Sequence, residues 1–174
     1  MTASIKVDSA PGTHTAAEIA SQPECWQRAA ERTGDLDLFR RPGQKVAIAG
    51  CGTSWFVAQA IASLREAGGF GVTDSFAASE ARLDGRGYDA LIVLSRSGTT
   101  TEVEALLAAA PAGIRKIAVV ADASSPIGQL ADDVVELSFA DEASVVQTRF
   151  ATTTIALAMA AFGLELDQAI ADTV

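Results

Sequence analysis

The stretch at residues 88–100, which reads YDALIVLSRSGTT, decides the fold of this chain. It starts with a largely apolar run, typical of a central parallel strand that is covered by helices on both faces. A turn built around Gly98 and several hydroxyl side chains follows at once, and helical spacing begins directly after it. The order of strand, glycine turn and helix predicts one unit of an α/β fold.

The same alternation continues on both sides of this stretch. Further strands are predicted at residues 45–50 (KVAIAG), 70–77, 116–121 (KIAVVA) and 134–137, and helices at 54–67, 99–110 and 144–166. In the last helix, the threonines at 152–154 are expected to interrupt the helix locally, because β-branched residues are poor helix formers. Short turns between strands and helices imply right-handed crossovers. The sequence predicts a doubly wound α/β domain of the flavodoxin or Rossmann kind, a three-layer sandwich around roughly five parallel strands.

The domain organisation follows from the pattern before the first strand. Residues 1–14 are polar and mixed, and we expect a flexible tail there. Residues 15–44 are expected to form a helical lead-in, with Ala16, Ile19 and Ala20 on one apolar face. A second lead-in helix is expected to start at Pro23 and to end at Gly34. Residues 45–174 then form the single α/β domain.

Composition excludes several classes of function. The 174 residues carry 13 Lys and Arg against 22 Asp and Glu, a net charge of −9, which disfavours a nucleic-acid partner. No apolar run approaches the roughly 18 residues of a membrane span. No basic, apolar leader is visible, so we expect no membrane association and a cytoplasmic location. Cys25, Cys51 and a single histidine make neither a disulfide framework nor a metal site, and no metal or cofactor is predicted.

Two turns that follow predicted strands carry the candidate chemistry. In parallel sheets, ligands bind beyond the carboxyl ends of the strands, where helix N-termini direct N–H groups at them. The turn at residues 95–100 has no carboxylate before Glu102 and suits a phosphate monoester, since it combines hydroxyls, free amides and a guanidinium. A helix cap alone would need only one hydroxyl. We therefore predict an anion site made by Ser95, Arg96, Ser97, Gly98 and Thr100.

The turn at residues 50–54 brings a glycine backbone close to a ligand, with Thr53 and Ser54 as donors or helix caps. Trp55 stands where a dinucleotide fingerprint needs its third glycine, which disfavours a nucleotide-dependent oxidoreductase. Cys51 has no evident base, because the one histidine, His14, falls in the expected tail. A small neighbour of the ligand is favoured over a nucleophile at this position.

These motifs, in this order, resemble the sugar isomerase (SIS) domain family, and within it the first lobe of glucosamine-6-phosphate synthase-like phosphosugar isomerases and aminotransferases. The resemblance covers most of the chain. It rests on E-I-x-x-Q-P at residues 18–23, G-C-G-T-S at 50–54, A-S-E at 78–80, S-x-S-G-x-T at 95–100 and EASVVQTRFATT at 142–153.

The resemblance implies that the turn at 95–100 holds a substrate phosphate. It also implies that the sugar contacts Cys51, Gly52, Thr53, Ser54, Val145 and Gln147. The chain departs from the family pattern at four of its positions. Two of these changes remove an acid or add a cation near the phosphate, and a third alters the sugar preference. Arg96 replaces glutamine, Thr99 replaces glutamate, Gln147 replaces serine, and Arg149, expected near the phosphate, replaces lysine.

Tandem members of the family carry their catalytic glutamate, histidine and lysine in or after a second domain, so the resemblance implies no catalytic residue in this chain. Glu142 is the best carboxylate candidate, because it precedes the segment expected to line the ligand. Two functions stay open. One is the N-terminal lobe of a tandem aldose–ketose isomerase, deglycase or amino-sugar-phosphate deaminase or aminotransferase, and the other is a non-catalytic phosphosugar sensor.

The expected partners are a phosphorylated hexose or amino sugar, and either a second SIS lobe or a second copy of the chain in a homodimer. The expectation of a protein partner rests on the second lobe against which tandem members pack. Apolar helix positions that exceed what one sheet face needs support it, unless core packing absorbs them. They are Ile155, Leu157, Met159 and Phe162.

Overall fold

The structure, a computed structural model, describes residues 12–171. Its centre is a sheet of five parallel strands in the order β2-β1-β3-β4-β5. Helices cover both faces, so the predicted doubly wound, three-layer α/β fold is confirmed. The strands are β1 (Val46–Gly50), β2 (Thr73–Ala77), β3 (Ala90–Ser95), β4 (Arg115–Val120) and β5 (Asp133–Glu136).

The helices alternate with the strands after a helical lead-in. Two short 3₁₀ turns, Ala78–Glu80 and Ser138–Ala140, follow β2 and β5. The α-helices are α1 (Thr13–Ala20), α2 (Gln22–Ala30), α3 (Thr33–Arg40), α4 (Thr53–Ala67), α5 (Thr101–Ala109), α6 (Pro126–Leu130), α7 (Arg149–Ala161) and α8 (Asp167–Ala171).

The two faces of the sheet bury two separate sets of side chains. Ile48 and Ile92 belong to a core shared with α2, α4 and α7, whereas their neighbours Ala47 and Leu91 face α5 and α6. All four side chains are fully buried. This explains why the interior of the central strands is apolar on both faces, as in strands covered by helices on both sides.

The lead-in differs from the sequence prediction in two respects. The supposed apolar face of α1 is exposed, and Glu18 is the buried residue of this helix. Its carboxylate is drawn inward because it accepts backbone hydrogen bonds from a distant loop. Gly34 does not end a helix at positive φ; it lies within α3, which follows α2 after a short break.

The last long helix also differs from its prediction. It begins at Arg149 instead of residue 144, and the preceding residues 141–148 form a loop. It runs unbroken through the threonines at 152–154, because Thr152 and Thr154 find hydrogen-bond partners and Thr153 is fully buried in the packed helix face. The hydroxyl of Thr154 donates to the Phe150 carbonyl at 2.8 Å. Trp26 donates from its indole to the Thr152 hydroxyl at 3.0 Å.

The apolar positions of α7 have partners within the chain. Leu157 is fully buried in the sheet core, and Ile155 and Phe162 pack against it. Met159 lines a small apolar cavity of about 190 Å³ together with Trp26. These side chains are therefore accounted for by packing within the chain, mainly between the lead-in and α7, and a protein partner stays a prediction.

Candidate functional site

The two glycine turns lie side by side at the carboxyl edge of the sheet. Strands β1 and β3 are neighbours, with Gly50 opposite Leu94. The chain proceeds from β1 outward to β2 on one side, and from β3 to β4 and β5 on the other. The gap between β1 and β3 is therefore the topological switch point, where open α/β sheets bind their ligands.

The turn at residues 95–100 is held by its own hydroxyls. Ser95 and Thr100 share a hydrogen bond of 2.9 Å between their side-chain oxygens. The Gly98 amide donates to the Ser95 hydroxyl at 3.2 Å, and the Thr99 amide donates to the Ser97 hydroxyl at 3.3 Å. Hydroxyl groups that pair among themselves are donors that an incoming anion can recruit.

Gly98 packs tightly against the start of α6. Its φ is +65°, and a Cβ atom there would lie 2.1 Å from the Ser125 hydroxyl. Ser125 caps α6 by accepting from the Gly128 amide, and the Ile127 amide donates to the Gly98 carbonyl at 3.0 Å. Only glycine satisfies both the backbone angle and the close approach.

The N-terminus of α5 opens directly onto this turn. Thr100 precedes the helix, and its side chain makes no capping hydrogen bond to a helix amide. The amides of Val103 and Glu104 donate to the Thr100 carbonyl, whereas the amides of the first two helical residues, Thr101 and Glu102, have no intrahelical acceptor. Free amides and the positive end of the helix dipole make this position suitable for an anion.

The turn at residues 50–54 leads into α4 and brings Gly50 into close contact with Ser54. A Cβ on Gly50 would lie 2.7 Å from Ser54, which is buried against it. Gly52 has a φ of +54° and precedes the helix. Thr53 is exposed at the edge, so its hydroxyl faces solvent while that of Ser54 lies inside.

Cys51 is half-buried beside these turns. Burial raises the pKa of its thiol, and the charge of Glu102 raises it further, against a smaller opposing effect from a backbone hydrogen bond to Ala78. A thiol with a raised pKa is protonated at neutral pH and is a poor nucleophile.

Arg96 connects the second turn to the loop at residues 141–148. Its Nη1 donates to the Glu142 carbonyl at 2.6 Å and lies 3.3 Å from the Asp141 carboxylate. Its Nε is buried and has no partner. In sequence, no carboxylate stands near Arg96 before Glu102. In the folded chain, however, the Asp141 carboxylate contacts the Arg96 guanidinium from a distant part of the sequence.

Glu142 fixes the far end of this loop. Its side chain is 4% exposed, and its Oε1 accepts from the amides of Thr148 and Arg149, both at 2.6 Å. These are the amides at the N-terminus of α7, where a carboxylate is stabilised by the helix dipole. The chain's own carboxylate therefore fills the anion position of α7.

Glu18 holds the middle of the loop from α1. Its Oε1 accepts from the amides of Ala143 and Ser144, at 2.7 and 3.1 Å. Burial raises the pKa of this carboxyl, but hydrogen bonds from Ser144 and Ala143 and the charge of Arg149 outweigh it and lower the pKa below its ordinary value. Glu18 is thus ionised, and its carboxylate holds the loop in place through these hydrogen bonds.

Arg149 is engaged with this loop and with α1–α2. Its guanidinium donates to the Asp141 carbonyl and, at 3.0 Å, to the Ser21 hydroxyl. These partners of Arg149 are neutral oxygens of the loop and lead-in, and one of them belongs to Asp141, which also contacts Arg96. The contribution of Arg149 is to fix the loop.

The remaining predicted site residues lie on this loop in different environments. The Val145 side chain is 96% exposed. Gln147 is half-buried, and its Oε1 lies inside without a partner. Contacts of the loop with Arg96 involve its first residues, Asp141 and Glu142. The sequence pattern indicated Glu142 as a carboxylate candidate but did not assign Asp141 to the site.

Sequence reasoning missed two supporting residues. Ser125 followed by Pro126 is a typical helix start and would have predicted α6. Asp141 gave no local signal, because its contact with Arg96 spans 45 positions. Within residues 12–171, no three His, Cys, Asp or Glu side chains gather in a way that could hold a metal ion. In the same range, no helix has the length and apolar character to cross a membrane.

Neither a protein-family model nor a curated protein sequence matches the chain. Solved structures do match. The C-terminal domain of glucosamine-fructose-6-phosphate aminotransferase from Francisella tularensis matches at TM-score 0.68 and 18% identity, over 98% of this chain and 54% of its own. Glucosamine-6-phosphate deaminase from Thermotoga maritima matches at 0.69 and 22%, over 92% and 52%. A protein from E. coli CFT073 matches at 0.67 and 20%, over 86% and 89%.

These similarities establish the fold. The chain has the architecture of the SIS-type phosphosugar structures, as the sequence motifs predicted. It spans about half the length of the Francisella and Thermotoga chains, but 89% of the E. coli protein. The same fold therefore occurs both as part of a longer chain and as most of a chain.

Proposed function

We propose that this chain is a phosphosugar-binding domain that serves as the N-terminal lobe of a tandem aldose–ketose isomerase, deglycase, or amino-sugar-phosphate deaminase or aminotransferase. The observation that carries the proposal is the open N-terminus of α5, which meets a hydroxyl-rich turn at the switch point of the sheet. No side-chain carboxylate caps this helix, in contrast to α7.

In this proposal the phosphate lies at the start of α5. Its oxygens accept from the free amides of the first turn and from the hydroxyls of Ser95, Ser97 and Thr100. Arg96 adds a positive charge through the edge of its guanidinium that the loop leaves unused. The sugar extends toward the neighbouring turn, where Thr53 is exposed beside Cys51.

The proposed reactions move a proton between adjacent carbons and need a base with a pKa near neutral. The Cys51 thiol does not suit this role, since its pKa is raised. We assign the base to a second lobe or to a second copy of the chain. The proposal draws support from the length comparison, because the Francisella and Thermotoga chains are about twice as long as the matched region.

The test of ligand binding is isothermal titration calorimetry with glucose 6-phosphate, fructose 6-phosphate and unphosphorylated glucose. Saturable binding of the phosphorylated sugars, and none of glucose, is expected. Ser97→Ala should weaken binding several-fold, whereas Ser63→Ala, at an exposed position on α4, should not change it. Absence of binding by every sugar phosphate at millimolar concentration would refute the proposed function.

The proposed partner is tested by light scattering at micromolar concentrations. A homodimer would have twice the 17.9 kDa mass of the chain. A monomeric mass, both with and without bound sugar phosphate, would contradict self-association and leave a separate lobe as the partner. Turnover by the full assembly then separates an enzyme from a sensor, since a sensor binds the sugar phosphate without converting it.

A further inference from the structure

A cavity of about 420 Å³ lies at the amino edge of the sheet, opposite the two glycine turns. The end of α3, the residues that follow it and the start of β4 form its walls. Arg40, Arg41 and Arg115 line it, and Asp37 is the one acidic residue among the described residues of its lining. A chain with a net charge of −9 therefore concentrates positive charge in one small cavity, at the end of the sheet away from the proposed sugar site.

Arg41 is half-buried in this cavity and has no carboxylate partner of its own. Its Nε donates to the neutral side-chain oxygen of Gln44, and no carboxylate in the described part of the chain forms an ion pair with it. Burial lowers the pKa of Arg41 and the charge of Arg115 lowers it further, against smaller opposing effects. These come from Asp133 and Asp89. An anion that contacted both arginines would relieve their mutual repulsion.

The other two arginines of the cavity use only part of their guanidiniums. Arg40 donates through Nε to the Ala161 carbonyl and through Nη1 to Asp37 at 3.2 Å. Arg115 donates through Nε and Nη2 to Asp133. Within residues 12–171, no acceptor bonds to Nη2 of Arg40 or to Nη1 of Arg115. Three guanidiniums that line one cavity therefore have unused N–H donors.

The backbone that carries Arg41 is held in a strained conformation. Its φ is +34°, the one positive φ of a non-glycine residue between residues 12 and 171. Arg65 is fully buried and fixes this backbone by donating to the carbonyls of Arg40 and Arg41, at 3.2 and 2.7 Å. Strained residues persist only where the surrounding structure holds them, and they are frequent at ligand sites. The fold thus positions Arg41 before any ligand arrives.

We propose that this cavity binds a small ligand that carries a diphosphate group. A guanidinium donates parallel hydrogen bonds to a phosphate, so one or two guanidiniums satisfy a single phosphate. Two linked phosphates present more charge and more acceptor oxygens, which matches three guanidiniums around one cavity. Leu38 and Pro42 line the same cavity and supply an apolar surface for the rest of the ligand.

This site is separate from the proposed sugar phosphate site and does not rest on it. Arg115 pairs with Ala90 at the start of β3, whereas Ser95 ends that strand. At the rise of a parallel strand, roughly 16 Å separates the two ends of β3, so both sites can be occupied together. Their donors also differ, because one site uses hydroxyls and helix amides and the other uses guanidiniums.

The first experiment is an amide chemical-shift titration of the unaltered protein with inorganic pyrophosphate, inorganic phosphate and malonate. Pyrophosphate should shift the amides of Gly43, Gln44 and Arg115 saturably. Its Kd at these amides should be about tenfold lower than that of phosphate, the gain expected from a further charge-assisted hydrogen bond. Malonate, a dicarboxylate with less charge and fewer acceptor oxygens, should also bind more weakly.

Three results of this titration would overturn the inference. Phosphate or malonate that bound as tightly as pyrophosphate would remove the assignment to a diphosphate. Pyrophosphate shifts confined to Gly98 and Thr101, at the start of α5, would place the anion at the other edge of the sheet and leave the proposed function intact. The reverse result, with shifts around Gly43 but no binding of any sugar phosphate, would support this inference and refute the proposed function.

The second experiment removes the guanidiniums one at a time. Arg41→Asn keeps a residue that tolerates positive φ and should weaken pyrophosphate binding at the Gly43 and Gln44 amides about tenfold or more. Arg115→Gln removes a guanidinium from a different element and should also weaken it. Arg82→Asn removes the same charge from an exposed position between β2 and β3 and should leave the affinity unchanged. Full affinity in both cavity variants, or an equal loss in Arg82→Asn, would overturn the proposed site.

Discussion

The N-termini of α5 and α7 lie at the same edge of the sheet but are filled differently. At α7, Glu142 places a carboxylate oxygen 2.6 Å from two amides, so the helix carries its own anion. At α5, the preceding turn offers hydroxyls and a guanidinium, and no side chain caps the helix amides. Both helix N-termini favour a negative charge, but the protein supplies a carboxylate only at α7.

The difference separates structure from function at this edge. A helix N-terminus that is closed by a buried carboxylate gains stability and has no room for an external anion. A helix N-terminus that is left open gives up that stability and keeps the capacity to bind. The acidic net charge of −9 does not prevent this, because the turn at residues 95–100 offers hydroxyls, amides and a guanidinium, and the carboxylates of α5 begin only at Glu102.

The largest expected effect comes from closing the α5 turn with a methyl group. In Gly98→Ala, the new Cβ would meet Ser125 at 2.1 Å and adopt a positive φ. We expect a loss of about 2–4 kcal/mol in the free energy of unfolding, from backbone strain and overpacking, and loss of phosphosugar binding. Urea denaturation and calorimetry measure both effects.

Gly113→Ala is the matched control for that substitution. Gly113 also has a positive φ, but nothing lies within 4 Å of the added Cβ. It should cost about 1 kcal/mol from strain alone and leave binding unchanged. Equal losses of stability in the two variants would contradict the packing of Gly98 on Ser125.

Opening the α7 terminus should have the next largest effect. Glu142→Ala removes the acceptor of two partly buried amides, and we expect the free energy of unfolding to fall by about 2 kcal/mol. Ser97→Ala, the corresponding truncation in the open turn, should change it by less than about 0.5 kcal/mol, since Ser97 is exposed. If Ser97→Ala destabilised the fold as much as Glu142→Ala, the distinction between the two termini would fail.

Placing a carboxylate at the open terminus should make α5 resemble α7. In Ser97→Asp, the new charge competes with the phosphate for the same amides, and affinity for glucose 6-phosphate should fall about tenfold or more. The free energy of unfolding should not decrease. Ser97→Asn is the uncharged control and should retain most of the affinity, so a similar loss in both variants would rule out the electrostatic explanation.

The smallest expected effect concerns the competition for Arg96. Asp141→Asn removes the carboxylate that lies 3.3 Å from Nη1, and phosphate affinity should rise about two- to fivefold, the range of an exposed ion pair. The gain should diminish at high salt. Asp133→Asn, which breaks the pair with Arg115 at the opposite edge of the sheet, should leave affinity unchanged. An unchanged affinity in Asp141→Asn would show that Arg96 does not bind the anion.

Local sequence signals account for most of the fold and for the two turns. The strand β3 and the glycine turns after β1 and β3 are determined by residues that are adjacent in sequence. They can therefore be predicted from the sequence alone. Gly34 misled the prediction because glycine is also tolerated inside helices, and here it is the exposed second residue of α3. The exposed apolar face of α1 misled it because a buried carboxylate decides how that helix sits.

Long-range polar contacts account for what the sequence could not predict. Glu18 bonds to residues about 125 positions away. Arg65 is fully buried within α4 without a carboxylate partner and donates to backbone carbonyls such as those of Phe39 and Arg41. A charged residue in a helix is ordinarily exposed, and only the fold shows that these side chains are internal.

The most direct test of the two helix termini is an amide chemical-shift titration with inorganic phosphate, followed by glucose 6-phosphate. Saturable shifts are expected at the amides of Gly98, Thr101 and Glu102 with both ligands, and none with glucose. Inorganic phosphate should leave the amides of Thr148 and Arg149 unchanged, because Glu142 occupies them. Phosphate shifts at the α7 amides, or no shifts at the start of α5, would contradict the assignment of the open terminus as the phosphate site.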